Sequence, residues 1–170
     1  DQVGGVVPGV KLIQTVPGPE QRVAMRWAPF DGSPDSPMRQ RLMLYFTGQK
    51  RLAKNILQNV VGRYLARDPE AVRTIDELKD AAMEMKQTLD TADVDAFGAG
   101  IERYWTLKKR LDPGATNANV EKIIKPISRY CAGKTLPGAG GGGFVFMVAH
   151  DPDAAAKVRR KLEADPPNPH

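Results

Sequence analysis

The sequence is poor in the residues that staple small domains together. It holds one cysteine, Cys131, and two histidines, His150 and His170. A lone cysteine excludes an internal disulfide, and one Cys with two His falls short of the usual four-ligand zinc site, so no metal site is expected. No stretch approaches the ~18 consecutive apolar residues of a membrane-spanning helix, and mean hydropathy is −0.41. Neither a membrane partner nor a targeting segment is therefore read here. Aromatic residues make up only 6% of the chain, which leaves little for the base-stacking platforms of nucleic-acid binders. What is present suffices for a core. The 170 residues, 41% of them hydrophobic, have room for one ordinary domain, which at this size buries roughly 70% of the surface its unfolded chain exposes. The chain opens on Asp1-Gln2-Val3-Gly4-Gly5 and is patterned from Val3 onward, so we expect a piece of something longer.

A net charge of +5 and a pI near 9.4 raise the expectation of an anionic partner. The cations fall into three groups: Lys50, Arg51 and Lys54; Arg103, Lys108, Lys109 and Arg110; Lys157, Arg159, Arg160 and Lys161. Each group sits on a helix-like segment, and the second and third have acidic company in Asp95 and Glu102 and in Asp153 and Glu163. They read as solvated helix faces rather than a nucleic-acid footprint.

Residues 10–16 and 21–27 carry β-branched and aromatic residues on either side of Pro17-Gly18-Pro19 and read as a strand pair around a turn. Three prolines within residues 29–37 interrupt both helix and sheet ladders, so this stretch reads as a linker. The apolar run over 42–47, ended by Gly48, reads as a central strand covered on both faces. Helical spacing of apolar residues predicts helices over 52–65, 72–89 and 94–111, with breaks at Asp68-Pro69 and Asp112-Pro113-Gly114. Asn117 or Asn119 caps a fourth helix that Pro126 kinks or shortens. A short strand, a glycine-rich segment, a buried-type strand over 144–149 and a helix opened by Asp151-Pro152 complete the order. Strands and helices cluster instead of alternating. The fold class expected is α+β, an antiparallel sheet covered on one side by helices and preceded by the strand pair.

The chemistry concentrates in one segment. Five of the six residues Gly138, Ala139, Gly140, Gly141, Gly142 and Gly143 are glycine, and they are pinned between Leu136-Pro137 and a strand of Phe, Val and Met. Glycines permit φ > 0 and close approach, leaving successive N–H groups free to cradle an anion. The segment lacks the Lys-Ser/Thr ending of a P-loop, and a strand rather than a helix follows it. A loop that merely lets two elements pack closely remains the other reading of these residues.

Leu136-Pro-Gly-Ala-Gly-Gly-Gly-Gly-Phe144 resembles the third motif of the GHMP small-molecule kinases. Thr47-Gly-Gln-Lys-Arg-Leu-Ala-Lys-Asn-Ile-Leu57, Tyr104-Trp105 with Lys108-Lys-Arg-Leu-Asp112, and Gly143-Phe-Val-Phe-Met-Val-Ala-His-Asp-Pro152 are similar to its sugar-kinase branch of fucokinases and heptose-phosphate kinases. The opening Asp1-Gln-Val-Gly-Gly5 and Pro8-Gly-Val-Lys11 resemble the fucokinase side of that branch, including the kinase half of bifunctional fucokinase/GDP-fucose pyrophosphorylases. The resemblance implies a ferredoxin-like C-terminal domain over 38–165, preceded by the end of an N-terminal lobe over 1–37 and followed by an irregular tail over 166–170. It implies ATP and Mg2+ as the cofactors of a full-length enzyme that phosphorylates the anomeric hydroxyl of L-fucose, and a cytoplasmic location. Asp1 matches the catalytic base, although an Asp at a chain terminus is expected to be mobile and not to act as a base here. Gln2, Gly4 and Gly5 match the residues beside the sugar, and the segment 138–143 matches the loop lining the cleft.

The family's first motif and its Ser-rich phosphate loop do not occur in these residues. The main nucleotide site is thus expected in an absent N-terminal lobe, and the chain alone is expected to be inactive. Two alternatives stay open: a heptose-phosphate kinase fragment, and a non-catalytic anion-binding or interaction module. Lys134, Arg51 and Lys54 are weaker candidates for phosphate or sugar contacts, and Trp105 reads as core. The histidines receive no role.

Overall fold

The computed structural model describes residues 2–20, 22–49 and 54–164. A single helical turn, α1 (Gln2–Val6), precedes the hairpin of β1 (Lys11–Val16) and β2 (Arg22–Trp27). These pair antiparallel, with Lys11 opposite Trp27 and Val16 opposite Arg22. Gly18, at φ 150°, turns the chain between them.

The proline-rich stretch ends in structure that the linker reading did not anticipate. Ser36 caps a short helix, α2 (Pro37–Arg41), by accepting from the Arg39 N–H at 3.1 Å, with Pro37 at the helix start. Proline is suited there because its missing N–H would be unpaired anyway. Arg41, at the other end, is buried; its Nε donates to the Ala149 carbonyl at 2.8 Å and its Nη2 to Asp95 at 2.5 Å.

The main sheet contains β3 (Leu42–Phe46), β4 (Cys131–Thr135) and β5 (Phe144–Ala149), all antiparallel in the order β3-β5-β4. The run over 42–47 is therefore an edge strand, not the central one, and Leu44 on it is 65% exposed. An apolar run marks a strand as coverable but does not choose its neighbours. β5 takes the centre. Its side chains alternate between two apolar clusters, Val145, Met147 and Ala149 in one and Val148, with the partly buried Phe146, in the other. Both faces of the sheet are consequently buried along β5, where the sequence pattern had suggested cover on one.

Between β3 and β4 run α3 (Lys54–Leu65), α4 (Pro69–Asp90), α5 (Val94–Leu111) and α6 (Ala118–Ile124), and α7 (Pro152–Ala164) closes the described chain. Acidic and amide caps set the boundaries. Asp68 accepts from Glu70 N and Ala71 N, Asp93 from Ala96 N, Asn117 from Asn119 N and Val120 N, and Asp151 from Ala154 N. Each satisfies donors that a helix start leaves without partners. Pro126 lies just beyond α6, which stops at Ile124.

α5 lies directly on β4. A Cβ added to Gly133 would sit 1.9 Å from the Gly98 carbonyl oxygen, and one added to Gly98 would sit 2.6 Å from the Ala132 Cβ. Gly133→Ala is accordingly expected to destabilise the fold by about 3 kcal/mol. Gly62→Ala, on the exposed side of α3 where a Cβ meets nothing within 4 Å, should stabilise by up to ~1 kcal/mol. Urea unfolding of the two variants measures the contrast, and equal changes would contradict the close helix–strand contact.

Candidate functional site

The segment between β4 and β5 adopts a backbone that only glycine accommodates comfortably. Gly138, Gly140, Gly141 and Gly143 have φ of 74°, 92°, 75° and 83°. At Gly140 a Cβ would also meet the Ala115 carbonyl oxygen at 2.5 Å, and at Gly142 the Gln49 carbonyl oxygen at 2.9 Å. The loop is pressed against two other pieces of chain: the 3₁₀ turn Pro113–Ala115 that follows α5, and the segment at Gln49 just after β3.

The hydrogen bonds have a consistent direction. Lys108 on α5 donates its Nζ to the Leu136 carbonyl and, at 2.5 Å, to that of Gly138. Asn117 Nδ2 donates to the Gly141 carbonyl at 2.7 Å, while its Oδ1 caps α6. Thr47 gives the Gly143 carbonyl both its backbone N–H, at 2.8 Å, and its hydroxyl, at 2.9 Å. Four loop carbonyls are thus turned inward onto donors. Two loop amides are also held, Gly141 N by the Ala115 carbonyl at 2.6 Å and Gly143 N by Gln49 at 2.8 Å. The amides of Gly138, Ala139, Gly140 and Gly142 bond no acceptor among the described residues. Inward carbonyls and unheld amides are the arrangement that presents N–H dipoles to an anion.

Electrostatics point the same way. Lys108 is buried within α5, and burial pushes its ammonium down to about 8 from the ordinary lysine value. The carbonyls and the faces of Tyr104 and Trp105, whose ring centroids lie 5.8 and 5.9 Å from Nζ, favour the charged form instead. Cys131, at the start of β4, is a buried thiol pushed up to about 11, mainly by desolvation, and is not a nucleophile at neutral pH.

The residues expected from the sequence are only partly brought together. Gly138 to Gly143 form the loop just described. Asp1 lies outside the described residues, as do Arg51 and the tail over 166–170. Gln2, Gly4 and Gly5 belong to α1, where Lys11 Nζ donates to the Gly4 carbonyl at 3.3 Å; no hydrogen bond among the described residues joins α1 to the loop. Lys54 opens α3. Lys134 does not face the loop's anion side: its Nζ is paired with Glu102 at 2.9 and 3.1 Å. Trp105 is 1% exposed and belongs to the core.

Lys108, Asn117, Thr47 and Gln49 were not singled out for this role. For Lys108 the signal was available. Ile101, Trp105 and Lys108 fall at i, i+4 and i+7, so a lysine occupies the buried stripe of α5, where a solvated cation does not belong. Among the described residues no group of three or more His, Cys, Asp or Glu side chains could hold a metal ion, and no helix is long and apolar enough to cross a membrane.

Comparison with known proteins places these features. Residues 85–168 match the family model "GHMP kinases C terminal". The chain is 38% identical over 169 residues to the L-fucokinase/L-fucose-1-P guanylyltransferase of Bacteroides fragilis, covering 99% of this chain and 18% of that protein. It is 38% identical over 165 residues to the bifunctional fucokinase/GDP-fucose pyrophosphorylase of Arabidopsis thaliana, covering 96% of this chain and 16% of that protein. The chain therefore spans less than a fifth of the length of these curated relatives. In fold it is similar to the mevalonate kinase of L. major solved with R-mevalonate, at a TM-score of 0.72 and 18% identity, covering 93% of this chain and 46% of that one.

The loop geometry separates two glycine substitutions. Gly140→Ala combines an unfavourable φ with a backbone clash and is expected to cost about 3 kcal/mol. Gly138→Ala has the unfavourable φ but open space around its Cβ and is expected to cost about 1 kcal/mol. Parallel denaturant melts decide the point, and a Gly138→Ala loss as large as that of Gly140→Ala would contradict the packed loop.

Proposed function

Residues 85–168 of this chain belong to the GHMP kinase C-terminal family, and on that premise we propose that the chain is the C-terminal part of an ATP-dependent sugar-1-kinase acting on L-fucose. The observation that carries the reading is the glycine loop, whose unheld amides at 138, 139, 140 and 142 suit a polyphosphate. The identity to two fucokinase-containing proteins over nearly the whole chain supports L-fucose as the sugar.

In this reading the anomeric hydroxyl oxygen bonds to the γ-phosphorus of ATP as the bond from that phosphorus to the β–γ bridging oxygen breaks, giving L-fucose 1-phosphate and ADP. In the protein extended upstream, where Asp1 is no longer terminal, the hydroxyl proton passes to its carboxylate. Such transfers depend chiefly on positioning and on stabilising charge at the phosphoryl oxygens. The loop amides supply part of that charge stabilisation, while Gln2, Gly4 and Gly5 lie on the sugar side. Magnesium is ordinarily held by one or two carboxylates together with the substrate's phosphates, and among the described residues no group of three or more His, Cys, Asp or Glu side chains could hold a metal ion by itself. The division of labour places residues 1–37 with an N-terminal lobe that completes the nucleotide site, and 38–165 in the C-terminal domain.

Incubating the 170-residue chain, and a version extended upstream, with ATP, magnesium and L-fucose tests both parts. L-fucose 1-phosphate is expected from the extended protein alone. Its formation by the short chain would overturn the division between lobes. Phosphorylation of a heptose phosphate in place of L-fucose by the extended protein would overturn the choice of sugar.

A further inference from the structure

A buried ammonium ordinarily has an acidic partner, because an uncompensated charge is costly away from water. Lys108 is 8% exposed, and none of the ion pairs among the described residues includes it. Nearby ionisable groups make no ion pair with it. Tyr104 beside it carries a phenol that burial holds protonated, and Lys109, on the same helix, is a second cation, its Nζ 5.2 Å from the Trp105 ring centroid. Asp112, which follows the last residue of α5, accepts from the Gly114 N–H through Oδ1, and its buried Oδ2 bonds nothing among the described residues. What Lys108 does hold is the carbonyls of Leu136 and Gly138, the two that flank the entry to the glycine loop.

We propose that Lys108 is the positioning residue of the glycine loop and the buried counter-charge of its ligand, a polyphosphate such as the phosphate chain of a nucleoside triphosphate. Turning the Gly138 carbonyl inward faces the Ala139 amide of the same planar peptide away from Lys108, and the amides of Gly138 and Gly140 on either side of it bond no acceptor among the described residues. The same ammonium places a positive charge behind those amides, in surroundings of low dielectric where it acts strongly on an anion in front of them. A neutral side chain of equal length would leave two carbonyls without their donor and the loop without its charge. The proposal rests on the phosphate reading of the loop given above.

Carbon-detected NMR on the whole chain, titrated from pH 7 to 11, reads the positioning directly. The Leu136 and Gly138 carbonyl carbons are expected to shift with the same midpoint as the Lys108 side chain, near 8. The Gly143 carbonyl, held by Thr47, is not. Adding inorganic tripolyphosphate should move the Lys108 midpoint upward, since an anion favours the protonated form. Lys108→Met should weaken tripolyphosphate binding at least tenfold, whereas Lys79→Met, which removes the same charge from the exposed face of α4, should change it less than twofold.

Carbonyl carbons that ignore the Lys108 titration would overturn the positioning role. Equal tripolyphosphate affinity in wild type and Lys108→Met would overturn the counter-charge role. If the Met variant fails to fold, the wild-type titration decides both, through the carbonyl shifts and through the shift of midpoint on adding ligand. Absence of tripolyphosphate binding by the wild type would instead overturn the phosphate reading of the loop, while the carbonyl titration still judges the hold of Lys108 on it.

Discussion

α5 approaches β4 so closely that neither Gly98 nor Gly133 has room for a Cβ, and the remaining structure is arranged around that contact. With the helix axis set by backbone touching backbone, each residue along α5 acquires a defined depth. Ile101 and Trp105 enter the core, Lys108 reaches the loop that leaves β4, and Asp112 caps the 3₁₀ turn from which Ala115 holds Gly141. Close packing of this kind tolerates little change in volume, so the position of the loop is inherited from the helix rather than chosen by the loop itself.

The loop, in turn, is ordered although glycine-rich. Glycine loses more conformational freedom on folding than any other residue, and five glycines in six positions would form a mobile linker if nothing held them. Here the donors on Lys108, Asn117 and Thr47 and the acceptors at Ala115 and Gln49 compensate. An ordered loop with inward carbonyls is pre-organised: its amides would need no rearrangement to meet an anion, which is the property that makes such groups effective in phosphoryl transfer. The likeness to GHMP kinases and the loop chemistry therefore support each other, one through shared residues and the other through geometry.

Much of the fold is legible because its signals are local. Asp68, Asp93, Asn117 and Asp151 mark helix starts by cap chemistry that depends only on the next three residues, and the hairpin turn at Gly18 is equally local. Where neighbours distant in sequence decide, the reading goes astray. The run over 42–47 and the strand over 144–149 have the same apolar character, yet only the latter is central, because β4 and β3 both pair with it. Pro37, read as part of a linker, opens α2 because Ser36, itself anchored on the Asp31 carbonyl, caps the turn.

The site divides along the same line. Residue order alone was sufficient for the α+β class, which follows from how strands and helices cluster along the chain, and for the glycine segment at 138–143, which follows from residue type over a short stretch; the kinship rests on resemblance across several segments. Which loop carbonyls turn inward, which amides stay unheld, and that Lys108 lies behind the loop while Lys134 is paired with Glu102 were decided only by the tertiary structure. The reason is physical. A lysine's charge is the same in any sequence, but its hydration is not, and burial is a property of how α5, β4 and the loop pack together, on which composition is silent.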